Sequence, residues 1–244
     1  MTSGSITTST TVTDDFQKPP SVPKEEVIYK PWDLLVYEIW VLGIVSTWAW
    51  GCSTSEYLLP QFRANIGKNH LDIGSGTGYY LRRSEIPAST LLTLLDLERP
   101  ALDLGLQRCG RPDARGLQAD ILQPLPVTDK FDSVSMYYLL HCIPATVAEK
   151  CAVFKHIKRN MTRDGVIHGA SVLGKGVRND NCFAAHVRRG VLKAGIFHNI
   201  DDNAYDFEHA LRVNFEEVET RVVGSVFMFR ASNPKQNEGD LLDS

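Results

Sequence analysis

Residues 70–80, His-Leu-Asp-Ile-Gly-Ser-Gly-Thr-Gly-Tyr-Tyr, carry the most specific chemical signal in the chain. An apolar lead-in reaches an acid, Asp72, and a D-x-G-x-G-x-G turn through Gly74, Ser75, Gly76 and Gly78. Glycines at this spacing let the backbone turn sharply and let a ligand approach the main chain closely. A dinucleotide pyrophosphate calls for G-x-G-x-x-G, with a third glycine admitting close helix–strand packing. Counted from Gly74 that place is Tyr79, and counted from Gly76 it is Leu81. No Gly-Lys-Ser/Thr follows either, so a phosphate ligand is disfavoured on both counts. A tight strand–helix turn without any ligand is the competing reading.

Other polar residues gather where strands should end. Asp96 closes the run TLLTLLD, eighteen residues after Gly78, and Asp120 follows a weaker strand with Ile121 beside it. Taken alone, a helix N-cap is the competing reading of Asp96, and Asp120 is an uninformative loop acid. Tyr137, Tyr138 and His141 end the fourth apolar run, and open α/β sheets bind ligands outside the carboxyl ends of their strands. A histidine titrates near neutrality, so His141 suits a general base; a structural role capping the next helix is the alternative. Tyr29, Trp32 and Tyr37 form an aromatic group ahead of the core that could equally be simple helix packing.

The elements that must position these groups follow from hydrophobic period. Residues 27–65 read as two helices, an apolar one and a shorter one around Thr54–Ala64. From Gly67 onward, short apolar runs alternate with helical patterns: HLDIG, TLLTLLDL, DARGLQAD closing on Asp120, and FDSVSMYY. Pro144–Asn160 is helical, with Val147, Cys151, Phe154 and Ile157 on one face. GVIHGASVL is a strand opened by an Asp164-Gly165 turn, and helices follow over Asn181–Ala194 and Ala204–Phe215. EEVETRVVGSVFMFRA reads as two strands joined tightly at Gly224. Strands alternating with helices predict a mostly parallel sheet covered on both faces, with a closing antiparallel hairpin.

Composition narrows the partners. Lys and Arg total 26 against 29 Asp and Glu, a net charge of −3, which argues against a nucleic-acid coat. The five cysteines are widely spaced with no CxxC pair, so neither a disulfide framework nor a metal site is expected, and a reduced, cytoplasmic setting is. Residues 2–13 are rich in Ser and Thr without a basic cluster and apolar core, unlike a secretory signal. The run Leu34–Trp50 is apolar but carries Glu38 and falls short of the roughly 20 residues that span a bilayer. A buried or lid helix is expected there rather than membrane insertion.

The glycine motif followed by Asp96 and Asp120 in that order resembles the class I S-adenosylmethionine (SAM)-dependent methyltransferases. Over roughly residues 27–230, runs such as YKPWDLLVYEIWVLG, LDIGSGTGYYL, FDSVSMYYLLHCIP and GIFHNIDD resemble small fungal and bacterial members found in natural-product pathways. The resemblance implies a Rossmann-like, α/β fold with a seven-stranded sheet, a C-terminal antiparallel hairpin and an N-terminal helical lid. It divides the chain into a disordered tail (1–24), the lid (25–66), the SAM-binding core (67–231) and a polar C-terminal tail (232–244).

It also implies site roles. Asp72, Gly74, Ser75, Gly76 and Gly78 would hold the amino-acid portion of the cofactor. Asp96 would take the ribose hydroxyls beside Leu97, and Asp120 with Ile121 would hold the adenine. Tyr137 would line the cofactor, while Tyr29, Trp32, Tyr37 and Tyr138 would face the acceptor, with His141 as base. His186, Arg188, Arg189, His198 and Asn199 fall where this fold inserts substrate-recognition elements. The sequence departs from the commoner pattern at Glu98 and Tyr137, which stand where Asn is frequent. The expected partner is a small-molecule acceptor, with nucleic acid excluded and a homodimer left open. Methyl transfer to oxygen is the expected reaction. The alternatives are an enzyme using bound SAM as a fixed cation for rearrangement or cyclisation, and a non-enzymatic scaffold, which the intact glycine and acid motifs disfavour.

Overall fold

A computed structural model describes residues 45–177 and 181–236. Seven strands form one sheet in the order β3-β2-β1-β4-β5-β7-β6. These are β1 (Asn69–Ile73), β2 (Leu91–Asp96), β3 (Arg115–Gln118), β4 (Phe131–Tyr137), β5 (Met161–Val172), β6 (Phe215–Val223) and β7 (Val226–Pro234). Strands β1 to β5 pair in parallel and β7 runs antiparallel to both β5 and β6. The expected mostly parallel sheet with its closing hairpin is therefore present. The order reverses between β1 and β4, which places a crevice at their carboxyl ends, directly after Ile73 and Tyr137.

Because β1, β4 and β5 are covered on both faces, their side chains divide between two cores. On one face Val134, Met136, Ile167, Phe227 and Phe229 pack against α4 (Val147–Lys158) and α6 (Ala204–Asn214) through Phe154, Ile157, Phe207 and Leu211. On the other, Leu92, Leu94, Ala170, Val172 and Met228 meet Leu58 and Phe62 from the helical turn Thr54–Leu58 and α1 (Leu59–Ala64). Leu81 from α2 (Tyr79–Arg83) and Leu102 from α3 (Arg99–Arg108) complete that layer, and α5 (Cys182–Lys193) contributes Ala184. Burying a side chain of this size contributes about 1.5–3 kcal/mol.

Helix starts follow local chemistry. Thr146 and Glu149 form a reciprocal capping box on α4, and Asn181 and Asn203 cap α5 and α6. Three sequence expectations change. Asp164-Gly165 does not open a strand: β5 already begins at Met161, and pairing passes from Phe131↔Met161 to Ser133↔Val166, which makes the Asp-Gly pair part of a bulge. The buried residues of α4 are Lys150, Val153, Phe154, Ile157 and Lys158, with Val147 and Cys151 only half-buried. Strand β3 stops at Gln118, leaving Asp120 in the loop beyond it. Among the described residues, no helix is long and apolar enough to cross a membrane.

Candidate active site

The glycine loop leaves β1 and enters α2 through three left-handed residues, Gly74 (φ +67°), Gly76 (φ +52°) and Gly78 (φ +68°). Each is glycine for a different spatial reason. A Cβ on Gly74 would lie 2.8 Å from Leu139 Cδ1, and one on Gly78 would lie 3.3 Å from the backbone of Cys109 and Gly105. A Cβ on Gly76 would meet nothing within 4 Å, so this backbone faces open space that a ligand can approach. The Gly74 N–H donates to Leu95 O at 2.8 Å and the Gly78 N–H to Ser75 O at 2.9 Å, which holds the loop against β2. Ser75 Oγ is buried with no hydrogen-bond partner among the described residues.

Three acids flank this loop. Asp72 is buried at the end of β1, where its Oδ1 accepts a short hydrogen bond from Ser135 Oγ. Burial pushes its pKa up to about 7, opposed by the Ser135 hydroxyl and reinforced by the charge of Asp96. Asp96 is half-buried, its Oδ1 accepting the Glu98 N–H at 3.0 Å; burial raises its pKa while backbone donors at Glu98 and Leu97 pull it back. The helix N-cap position belongs to Glu98, so Asp96 is not the cap. Leu97 beside it stays 54% exposed. Asp120 Oδ1 accepts the Leu122 N–H at 2.9 Å. Ile121, expected as a wall on the adenine, instead turns into the core among residues such as Leu117 and Phe131, because the chain bends after β3.

An unpartnered hydroxyl at Ser75, open backbone at Gly76, a carboxylate at Asp96 and an exposed apolar Leu97 suit a ligand with a cationic end, sugar hydroxyls and a flat base. SAM fits that description, and these residues are the ones that would hold it.

At the end of β4 the two tyrosines part ways. Tyr137 is 6% exposed and points into the sheet layer, with its hydroxyl 3.0 Å from His168 Nδ1 and its ring 4.8 Å from Tyr80 and 5.4 Å from Phe62. Strand alternation and pairing place it on the same face as His168, Ser135 and Asp72. Tyr138 adopts φ +57°, an uncommon conformation for a bulky residue, and its N–H donates to Ala170 O at 2.7 Å. The Ser46 proton goes to Cys52 O at 2.7 Å, so the Tyr138 hydroxyl donates to Ser46 Oγ at 2.6 Å.

His141 is corrected as a base. It is 3% exposed, and its Nδ1 accepts the Val172 N–H at 3.2 Å with Ser171 Oγ 3.3 Å away. That lone pair is therefore in use and the proton sits on Nε2. Burial first, then the Lys150 charge, pushes the pKa down to about 3. His141 is a neutral structural histidine that holds the start of the loop after β5.

Around it an aromatic wall forms that the sequence reading missed. The Phe197 ring lies 4.3 Å from His141 and 5.6 Å from Trp50, and the Tyr138 ring lies 5.6 Å from His141. Trp50 is fixed from behind, its carbonyl accepting the Ser225 N–H at 2.8 Å; Asn181 Nδ2 donates to Trp48 O at 2.7 Å. The only signal for this wall was the aromatic run ending TWAW, which read as the tail of a helix.

His198 and Asn199 brace the chain around His141 and the end of β5. The His198 N–H donates to His141 O at 2.7 Å, and Asn199 Nδ2 donates to Val172 O at 2.8 Å. Arg188 donates to Gly174 O, whereas His186 and Arg189 are exposed. Tyr29, Trp32 and Tyr37 lie outside the described residues.

Comparison with known proteins follows the same line. A family model described as "Methyltransferase domain" matches residues 71–168. The chain is 83% identical over 237 residues to "N-methyltransferase vrtF" of Penicillium aethiopicum, covering 97% of this chain and 100% of that one. It is 60% identical over 220 residues to "O-methyltransferase adaD" of Aspergillus niger, covering 86% of this chain and 88% of that one. Among solved structures, the N-methyltransferase NodS of Bradyrhizobium japonicum in complex with S-adenosyl-L-homocysteine superposes with a TM-score of 0.53 at 16% identity, over 73% of this chain and 85% of that one.

Proposed function

The chain belongs to the class I SAM-dependent methyltransferases, and from that premise we propose that it methylates a hydroxyl oxygen of a small phenolic or enolic, polyketide-like acceptor. The observation that carries this reading is the aromatic cluster of Phe197 and Tyr138 around His141, backed by the buried Trp50, with Leu139, the residue after Tyr138, against Gly74. Flat aromatic acceptors stack on such a surface.

SAM, when bound, supplies a methyl carbon made electrophilic by its sulfonium. The protein's part is orientation and exclusion of water, which contribute on the order of 7–11 kcal/mol in favourable cases. Asp72, Gly74 to Gly78, Asp96, Leu97 and Asp120 hold the cofactor; Tyr138 and Phe197 orient the acceptor, with the buried Trp50 backing Phe197. His141 offers no lone pair for a proton. An acidic phenol or enol, which ionises near neutrality unaided, matches that arrangement. The relationship to an O-methyltransferase at 60% identity supports oxygen as the nucleophile, and the 83% relative named for nitrogen makes the amine the competitor to test.

The test incubates the protein with SAM and a panel of hydroxypyrones, phenols and aromatic amines of matched shape. Equal amounts of O-methylated product and S-adenosylhomocysteine are expected. Methylation confined to the amines would overturn the oxygen assignment. Loss of an acceptor without S-adenosylhomocysteine would overturn methyl transfer itself.

A further inference from the structure

Beneath the cofactor loop runs a buried line of polar groups on the facing sides of β1 and β4. The Gly67 N–H donates to Ser133 Oγ at 2.7 Å. His70 bridges the two serines, with Nδ1 2.7 Å from Ser133 Oγ and Nε2 3.0 Å from Ser135 Oγ. Ser135 Oγ then donates to Asp72 Oδ1. All four side chains are buried, and the two imidazole nitrogens and two hydroxyls satisfy one another.

The proton positions in this line follow from counting. An ionised Asp72 only accepts, so the single Ser135 proton must point to it. Ser135 Oγ must then accept from His70, which places the imidazole proton on Nε2 and leaves Nδ1 bare. Ser133 must donate to that Nδ1. One arrangement satisfies every group, and every donor in it points toward Asp72. A hydroxyl donated to Asp72 Oδ1 stabilises the ionised carboxylate more than the neutral acid. The geometry therefore favours the carboxylate.

We propose that His70 and Ser135 are positioning residues for cofactor binding, a one-way hydrogen-bond relay that favours the charged form of Asp72 at the mouth of the glycine loop for the cationic cofactor. The inference rests on the reading of Asp72 as a cofactor-binding acid. It deepens that reading by assigning the cofactor's affinity partly to residues that never touch it. Burial works against the charge on Asp72, whose pKa is raised to about 7 even with the Ser135 hydroxyl pulling it down. Burial also pushes His70 down to about 3, so the imidazole stays neutral and relays without adding charge. The other titratable groups facing Asp72 are Asp96, Cys109 and Tyr137, and neither thiol nor phenol is ionised near neutrality, since burial raises both pKa values.

The test measures SAM binding by calorimetry from pH 5.5 to 8.5 for the wild type and for Ser135→Ala, His70→Leu, His70→Gln and Asp72→Asn. Ser135→Ala and His70→Leu should weaken SAM on the order of tenfold at pH 7, the scale of one charge-assisted hydrogen bond. They should also move the pH at which affinity falls off upward by about one unit. His70→Gln, whose amide N–H can reach the place of Nε2–H, should recover most of both. Weak binding with an unmoved pH midpoint would mean a merely structural role and would overturn the relay, as would wild-type affinity and midpoint in folded Ser135→Ala and His70→Leu. Asp72→Asn separates the two levels of the argument: unchanged SAM binding in that variant would overturn the role of Asp72 itself, whereas weakened binding there alone would overturn only the relay.

Discussion

Lys150→Met should be the most damaging single substitution away from the cofactor loop. Lys150 is buried in α4, and its Nζ donates to both carboxylate oxygens of Asp202 at 2.9 Å and to His198 O at 2.8 Å. Methionine keeps the stem but leaves the Asp202 carboxylate buried without its cation. Removing one partner of a buried pair costs about 3–5 kcal/mol. At roughly 2–4 °C per kcal/mol for a chain of this size, the thermal midpoint should fall by roughly 6–20 °C. The Asp202 pKa is already raised by burial and pulled down by Lys150, so in the variant it rises further. A carboxyl whose folded pKa lies above its unfolded value favours folding as pH falls, so the deficit should shrink from pH 7.5 to pH 5.5. The assay is urea denaturation at both pH values followed by circular dichroism, with Lys150→Met/Asp202→Leu as a second variant that should regain most of the loss. A single-variant cost below about 1 kcal/mol, the scale of an exposed pair, would refute the reasoning. Turnover should fall as well, because the same loop carries His198 against His141 and Phe197 into the aromatic wall.

Gly78→Ala should cost about 1–2 kcal/mol from its left-handed backbone plus its contacts with Cys109 and Gly105, read by thermal melting, whereas Gly76→Ala should cost the backbone share alone yet weaken SAM binding. His141→Asn should keep turnover within about tenfold and leave the pH–rate profile without a histidine inflection near pH 6.5; a loss of about a thousandfold would restore a base role. His70 and His141 have folded pKa values lowered to about 3, so their stability contribution is full above pH 6.5 and is lost as pH falls below it, at about 1.4 kcal/mol per unit each. Asp72, raised to about 7, and the raised Asp96 and Asp202 work in the opposite sense while His168 adds to the histidine side, so the check is a difference. From pH 6.5 to 4.5 the stability of folded His141→Asn should fall less steeply than that of the wild type, by about 1.4 kcal/mol per unit, and equal slopes would contradict the burial of this ring.

The glycine loop was legible because three left-handed turns and a close helix leave almost no other residue possible at Gly74 and Gly78. Asp96 was legible as a strand-end acid, and the alternating period revealed all seven strands. What the residues could not reveal was direction. Tyr137 and Tyr138 are adjacent and chemically identical, yet strand alternation sends one toward His168 while a positive φ turns the other toward Ser46 and His141. His141 has the right residue type for a base, but its role is decided by a backbone N–H thirty-one residues away. Lys150 broke the apolar stripe of α4 because its partner, Asp202, lies across the fold. Each miss involves a long-range partner that local period does not encode.

Calorimetric titration of SAM into the wild type and Asp96→Ala tests the central claim most directly. The wild type should bind one SAM per chain, and Asp96→Ala, with its melting temperature little changed, should lose at least tenfold in affinity. Equal affinity in the two proteins, or no binding by the folded wild type, would contradict the account.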